Sequence, residues 1–138
     1  MSSIFSNSNP NFNVYDGLGY YLNNDFYNSL NNKEYIVNSK WYNGIYINDY
    51  TSVYNSYAEA SIGLLKVGDF YINDYQNYYL LNRNNMEDLT VYKIIDGNKL
   101  YADLITTEAF VRPALVLRGD VLVTSGDGTQ NSSYIIGG

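Results

Sequence analysis

The chain has 138 residues and a mass of 15.7 kDa, which is room for one domain. It contains no Cys and no His, which excludes disulfides, thiol nucleophiles, Ser-His and Cys-His pairs and imidazole-based zinc or haem sites. Eight basic residues against 14 acidic ones leave a net charge of −6 and a pI near 4.3, a poor match to nucleic acid or to anionic lipid.

No apolar run approaches the roughly 18 residues that a spanning helix needs, so no insertion of this chain into a membrane is expected. The composition is lopsided, with 17 Tyr and 20 Asn but a single Trp. The codon bias of an AT-rich genome supplies such residues. A recognition surface uses them, because Tyr offers a rigid apolar ring with a polar tip and Asn offers both donor and acceptor. The hydrophobic share of 46% argues for an ordered chain over a low-complexity one.

Residues 1–19 read as an irregular N-terminal segment without the basic and apolar regions of a secretory leader. Residues 20–138 read as a single domain, and the whole chain could be a fragment of a larger protein. Tyr20, Tyr21, Leu22, Phe26, Tyr27 and Leu30 recur at helical spacing and predict a helix over 20–31. A short turn around residues 33–37 follows. Asn43-Gly44, between Trp41-Tyr42 and Ile45-Tyr46, is a strong hairpin signal. The polar stretch 48–60 has no assignable pattern.

Residues 62–67 predict a buried strand, 70–75 one helical turn, and 77–82 another strand. Strands at 89–95 and 99–105 flank Asp96-Gly97, predicting a hairpin with a two-residue turn. Further strands are predicted at 111–117, 121–123 and 134–136, with a turn at Asp127-Gly128. The predicted class is α+β: one or two N-terminal helices, then short antiparallel strands and hairpins.

Catalytic chemistry would have to use carboxylates, Ser, Lys or Tyr. Asp69 with Asp74, and Glu87 with Asp88, are acid pairs close in sequence, but no motif accompanies them and turn acids are usually just solvated. Ser125–Asn131 gathers several oxygens in a Gly-rich turn without the spacing of a calcium loop. The reading is therefore no enzyme, no cofactor and no metal.

Several short segments, in order, resemble a group of C-type-lectin-like domains found in surface, pseudopilin-linked and phage proteins of Firmicutes. Leu22-Asn23-Asn24-Asp25-Phe26-Tyr27-Asn28-Ser29 resembles the group's "LN..FYNS" helix. Residues 62–69 resemble its "LLS..E" strand and turn, and Tyr79-Leu80-Leu81-Asn82-Arg83 its "WWLRS" strand. Residues 91–101 resemble the hairpin that follows. Val111-Arg112-Pro113-Ala114-Leu115-Val116-Leu117 resembles "VRPAL.L", the most specific piece, and Gly126-Asp127-Gly128-Thr129 resembles the closing segment. The same broad fold includes the variable proteins of diversity-generating retroelements and the formylglycine-generating enzymes. The catalytic cysteines of the latter are missing here, so that activity is not implied. Two strands that usually precede the helix have no counterpart in residues 1–19.

The resemblance implies a C-type-lectin-like fold and a non-catalytic binding or adhesion domain on a cell surface, pilus or phage particle. Its ligand would be a protein or a carbohydrate. The alternative is a pilin-like or virion subunit that self-assembles into a homo-oligomer. The expected contact residues are Tyr78, Tyr79, Asn82, Arg83, Asn84, Asn85, Tyr92 and Tyr101, with Tyr78, Asn82 and Tyr101 projecting outward. Were those rings interior, the tyrosines of 42–57 would be the next face to consider. Arg112, beside Pro113, is read as a structural residue with a buried acidic partner rather than a ligand contact.

Overall fold

The structure, a computed structural model, describes residues 17–42, 57–69, 77–83, 90–96, 99–104 and 107–137. It is α+β, with one short helical segment and several antiparallel sheets. The predictions at Asn43-Gly44 and 70–75 lie outside the described residues, as do Asp74, Glu87 and Asp88.

The helical segment is α1 (Leu18–Tyr21), a π turn (Leu22–Phe26) and α2 (Tyr27–Ser29) run together. Leu18, Leu22, Phe26 and Leu30 sit four residues apart and pack on one core cluster. On a helix of 3.6 residues per turn, a spacing of four drifts sideways with every step; a wider turn absorbs that drift and keeps the four residues aligned. Asparagine amides bond back to the carbonyls four residues earlier: Asn23 Nδ2 donates to Gly19 O at 3.0 Å and Asn24 Nδ2 to Tyr20 O at 2.9 Å. The segment ends at Ser29, two residues before the predicted end, because Leu30 turns extended. Asn32, in the left-handed region that Asn tolerates, leads into a single 3-10 turn at Lys33–Tyr35.

Strands β1 (Ser39–Tyr42) and β2 (Tyr57–Ala60) pair antiparallel, with Trp41 opposite Ala58 and Tyr42 opposite Tyr57. Strand β2 falls in the stretch that sequence left unassigned; its four residues alternate outward and inward. Strand β3 (Ile62–Leu64) is wholly buried and pairs with β7 (Pro113–Leu115). Beyond β7 the same extended chain meets residues 35–37, where Val37 N donates to Val116 O and Arg118 N to Tyr35 O.

The largest sheet has the order β4-β5-β6, comprising β4 (Tyr78–Arg83), β5 (Thr90–Ile95) and β6 (Lys99–Leu104). Ile95 pairs with Lys99, so residues 96–98 link these strands, three where sequence predicted two. Asp96 has a positive φ of 49°. The last sheet pairs β8 (Leu122–Ser125) with β9 (Ile135–Gly137).

Two core clusters form among the described residues. One joins Leu22, Trp41, Ala58, Ala60, Ile62, Leu64, Tyr79, Leu81 and Val91. The other joins Val67, Tyr78, Leu80, Tyr92 and Ile94. Strand β4 feeds both, because successive side chains point to opposite faces. Each fully buried aliphatic side chain contributes about 1.5–3 kcal/mol.

Candidate binding face

Three of the residues expected to form a contact face, Tyr78, Tyr79 and Tyr92, are interior. Tyr78 is fully buried, which corrects its outward placement. Strand β4 is covered on both sides, so alternation gives it no solvent face. The Tyr78 hydroxyl has no hydrogen-bond partner among the described residues, and burial raises its pKa above the ordinary tyrosine value. The Arg112 guanidinium lies 4.6 Å from the centre of the Tyr78 ring. Arg112 is half-buried, and its neighbour Pro113 is exposed and pairs with Leu64.

Tyr79 is buried too, and its hydroxyl donates to the Thr107 carbonyl. Burial is the main cause that raises its pKa, with the charges of Asp103 and Glu108 adding to it. Lys93, only 2% exposed, places its ammonium 5.2 Å from that ring and 2.8 Å from Asp103 Oδ2. Tyr92 belongs to the second core cluster. Asn82 is half-buried, and its Oδ1 accepts the Val67 N–H at 2.8 Å, which holds the turn after β3. Arg83 closes β4, while Asn84 and Asn85 lie outside the described residues. Among the described expected contact residues, Tyr101 is the one placed openly at the surface, 53% exposed on β6.

A paired aromatic surface is open on β1 and β2. Their inner face carries Trp41, Ala58 and Ala60; their outer face carries Lys40, Tyr42, Tyr57 and Glu59. Trp41 fixes the ribbon by donating from Nε1 to the Ala60 carbonyl at 2.8 Å. Tyr42 and Tyr57 are 48% and 44% exposed, directly opposite each other, with ring centroids 5.7 Å apart and planes tilted by 57°. Lys40 Nζ stands 4.5 Å from the centre of the Tyr57 ring, and Lys40 is opposite Glu59 in the register. The outer face thus offers two aromatic rings, one cation and one carboxylate on a backbone held from behind. The period-2 pattern YAEA at 57–60 was the sequence signal for it, too short to stand alone.

Elsewhere the acids serve turns. Asp69 accepts the Lys66 N–H at 3.0 Å, and Asp127 accepts the Thr129 N–H at 3.0 Å. That bond to the Thr129 backbone leads the causes that hold the Asp127 carboxyl below its ordinary pKa. Among the described residues, no group of three or more acidic side chains is placed to share a metal ion. No helix of the described residues is long and apolar enough to cross a membrane. No family model, curated protein or solved structure matches the chain.

Proposed function

We propose that this chain is a non-catalytic binding domain of C-type-lectin-like type, displayed on a cell surface, pilus or phage particle, and that it meets its partner with the outer face of β1 and β2. The observation that carries the reading is the exposed Tyr42–Tyr57 pair, preset by strand pairing and by the buried Trp41 behind it. Amphipathic rings that are already ordered lose little freedom on binding, which is why Tyr dominates recognition surfaces. Lys40 and Glu59 add one hydrogen-bonding group of each sign, fitting the hydroxyls of a glycan or the polar rim of a protein epitope.

The lectin-like part of the reading is supported by how the resembling segments assemble. Leu22 and Asn23 of the helix pack and bond against β3, and β3 pairs with the strand of the "VRPAL" segment. Binding of the full chain to a glycan array and to intact cells tests the function. Tyr42→Ser with Tyr57→Ser should lower retention tenfold or more, equivalent to about 1.4 kcal/mol, while Tyr101→Ser separates the two exposed surfaces. Unchanged binding by the double variant would move the contact away from β1 and β2. Capture on the array indicates a glycan partner, whereas no capture on the array with cell binding that is lost on removing surface protein indicates a protein partner.

A further inference from the structure

Strand β6 is one edge of the sheet β4-β5-β6. The direction of its backbone groups follows from the far side of that sheet. Tyr79 stands opposite Lys93, yet Tyr79 N donates away from β5, to Phe110 O at 3.1 Å. In an antiparallel pair a residue turns both its N–H and its C=O toward the partner strand or away from it, and successive residues alternate. Tyr79 and Lys93 therefore share no backbone bond. Lys93 turns its groups to the other side and bonds Tyr101, its partner on β6. Leu100 and Ala102, on either side of Tyr101, must then point outward. The end of the strand agrees with this. Leu104, two residues beyond Ala102, donates its N–H to Asp103 Oδ1 at 2.8 Å and accepts Thr107 N at 3.0 Å.

Leu104 is thus satisfied by its own neighbours. Among the described residues, nothing meets the outward N–H and C=O of Leu100 and Ala102. An open edge of this kind invites another strand, and a lysine on it ordinarily discourages one. Here Lys99 is matched by Asp103, and the two lie equally far from Tyr101 on either side. That spacing makes the strand complementary to itself. When two copies of β6 run antiparallel with Tyr101 opposite Tyr101, Lys99 of each copy faces Asp103 of the other, and Leu100 faces Ala102. Sliding the strands either way parts Lys99 from Asp103 and sets Tyr101 against one of those charges instead. Lys99 now bonds Asp96 at 3.1 Å in an open pair, both side chains 68% exposed, which a second carboxylate can share. Tyr101 is itself exposed, with room for a facing ring. A cross-strand tyrosine pair already stands in the molecule, where Tyr42 opposes Tyr57.

We propose that this chain forms a two-fold dimer by antiparallel pairing of β6 with β6 of a second copy, in the register that sets Tyr101 against Tyr101. Two three-stranded sheets then join edge to edge. Each of the two Leu100–Ala102 pairs exchanges two backbone hydrogen bonds. Asp103 is positioned for Lys99 of the second copy by Lys93, 2.8 Å away. A contact made by one strand is small beside the roughly 800 Å² per partner of a stable interface, so the dimer is reversible. The contact is isologous and closes at two copies, because the far side of the sheet is occupied at Phe110. A dimer carries every other face of the chain twice, which strengthens attachment to any multivalent surface.

Sedimentation velocity of the full chain, up to millimolar concentration, tests the association, and single cysteines in this Cys-free chain test the register. A reversible dimer is expected. Ala102→Pro deletes an outward N–H that β5 does not use, a position where an edge strand tolerates proline. It should weaken the dimer about tenfold or more while leaving the far-ultraviolet dichroism unchanged. Lys99→Glu sets like charges opposite each other and should weaken it too. Facing residues of a pair without mutual bonds have Cα atoms about 4.5 Å apart, within the span of a disulfide. Tyr101→Cys should therefore couple into a covalent dimer under mild oxidation, whereas Lys99→Cys and the exposed Leu122→Cys should not. A wild-type chain that stays monomeric at every concentration overturns the proposal. So does a dimer indifferent to Ala102→Pro or to Lys99→Glu, or one in which Tyr101→Cys couples no faster than the other two cysteines. Should Ala102→Pro fail to fold, Lys99→Glu and the cysteines decide.

Discussion

The Asn23 side chain and the Ile62 backbone, 39 residues apart, exchange two hydrogen bonds of 2.9 Å each: Nδ2 donates to the Ile62 carbonyl and Oδ1 accepts the Ile62 N–H. The amide thereby imitates a strand edge and joins the helical segment to β3. Asn23→Ala leaves both groups of a fully buried residue without partners and should cost about 2–4 kcal/mol. Asn23→Asp keeps the acceptor, loses the donor, and should fall between wild type and the Ala variant. Chemical denaturation measures both; equal midpoints for all three proteins would show that the pairing contributes nothing.

Gly63 lies under Trp41. A Cβ at that position would overlap the ring carbons of an indole that is itself buried and hydrogen-bonded to Ala60. Gly63→Ala should therefore destabilise by about 1–3 kcal/mol through overpacking, with a shift in tryptophan fluorescence because the chain has one Trp. Loss of stability without a spectral change would place the strain elsewhere.

Tyr78 carries its hydroxyl into the core with no partner among the described residues. Tyr78→Phe deletes a buried group that has lost its water, so stability should hold or rise by about 1 kcal/mol. Tyr78→Ser empties a ring-sized space and should cost on the order of 3–5 kcal/mol. Arg112→Ala, which removes the cation over that ring, should cost about 1 kcal/mol. A large loss in Tyr78→Phe would reveal a partner for the hydroxyl.

Asp103 contributes to the acid limit of stability, and Tyr78 and Tyr79 to the alkaline one. The hydrogen bond from Lys93 is the main cause that lowers the Asp103 pKa below 3.8. A carboxyl depressed in the folded state contributes stability above its unfolded pKa and loses it as pH falls through the lower folded value. Stability should thus drop below about pH 4, and Asp103→Asn should flatten that acid limb while destabilising at neutral pH, since Lys93 stays buried. Burial raises the pKa values of Tyr78 and Tyr79. Their contribution is intact below the unfolded value near 10 and is lost as pH climbs through the folded values. Thermal melts from pH 3 to 11 check both limbs; an Asp103→Asn variant with the wild-type acid limb would contradict the assignment.

The elements with strong local patterns were legible in sequence: the strand at 62–64, the 90–104 hairpin, and the strands at 113–115, 122–125 and 135–137. Their signals are local, resting on apolar runs and turn residues. What sequence could not convey was which side of β4 meets solvent. Two adjacent tyrosines at 78 and 79 look like one inner and one outer ring, yet each enters a different core cluster. Coverage of the second face depends on residues such as Val67, Tyr92 and Ile94, and tertiary packing alone decides it. The β1–β2 face was hidden for a related reason. Its partners Tyr42 and Tyr57 are 15 positions apart, and a four-residue strand gives too few alternations to be seen.

Because β4 is a wall common to both core clusters, the folding of one is tied to the folding of the other. Opening either side exposes backbone that the remaining side needs in place, so no half-melted form retains a complete core. The amides of Tyr79 and Leu81, which donate to Phe110 and Leu65, should exchange with solvent only when the whole molecule opens. That cooperativity would let the outer residues of β1 and β2 change freely under selection while the interior stays all-or-none.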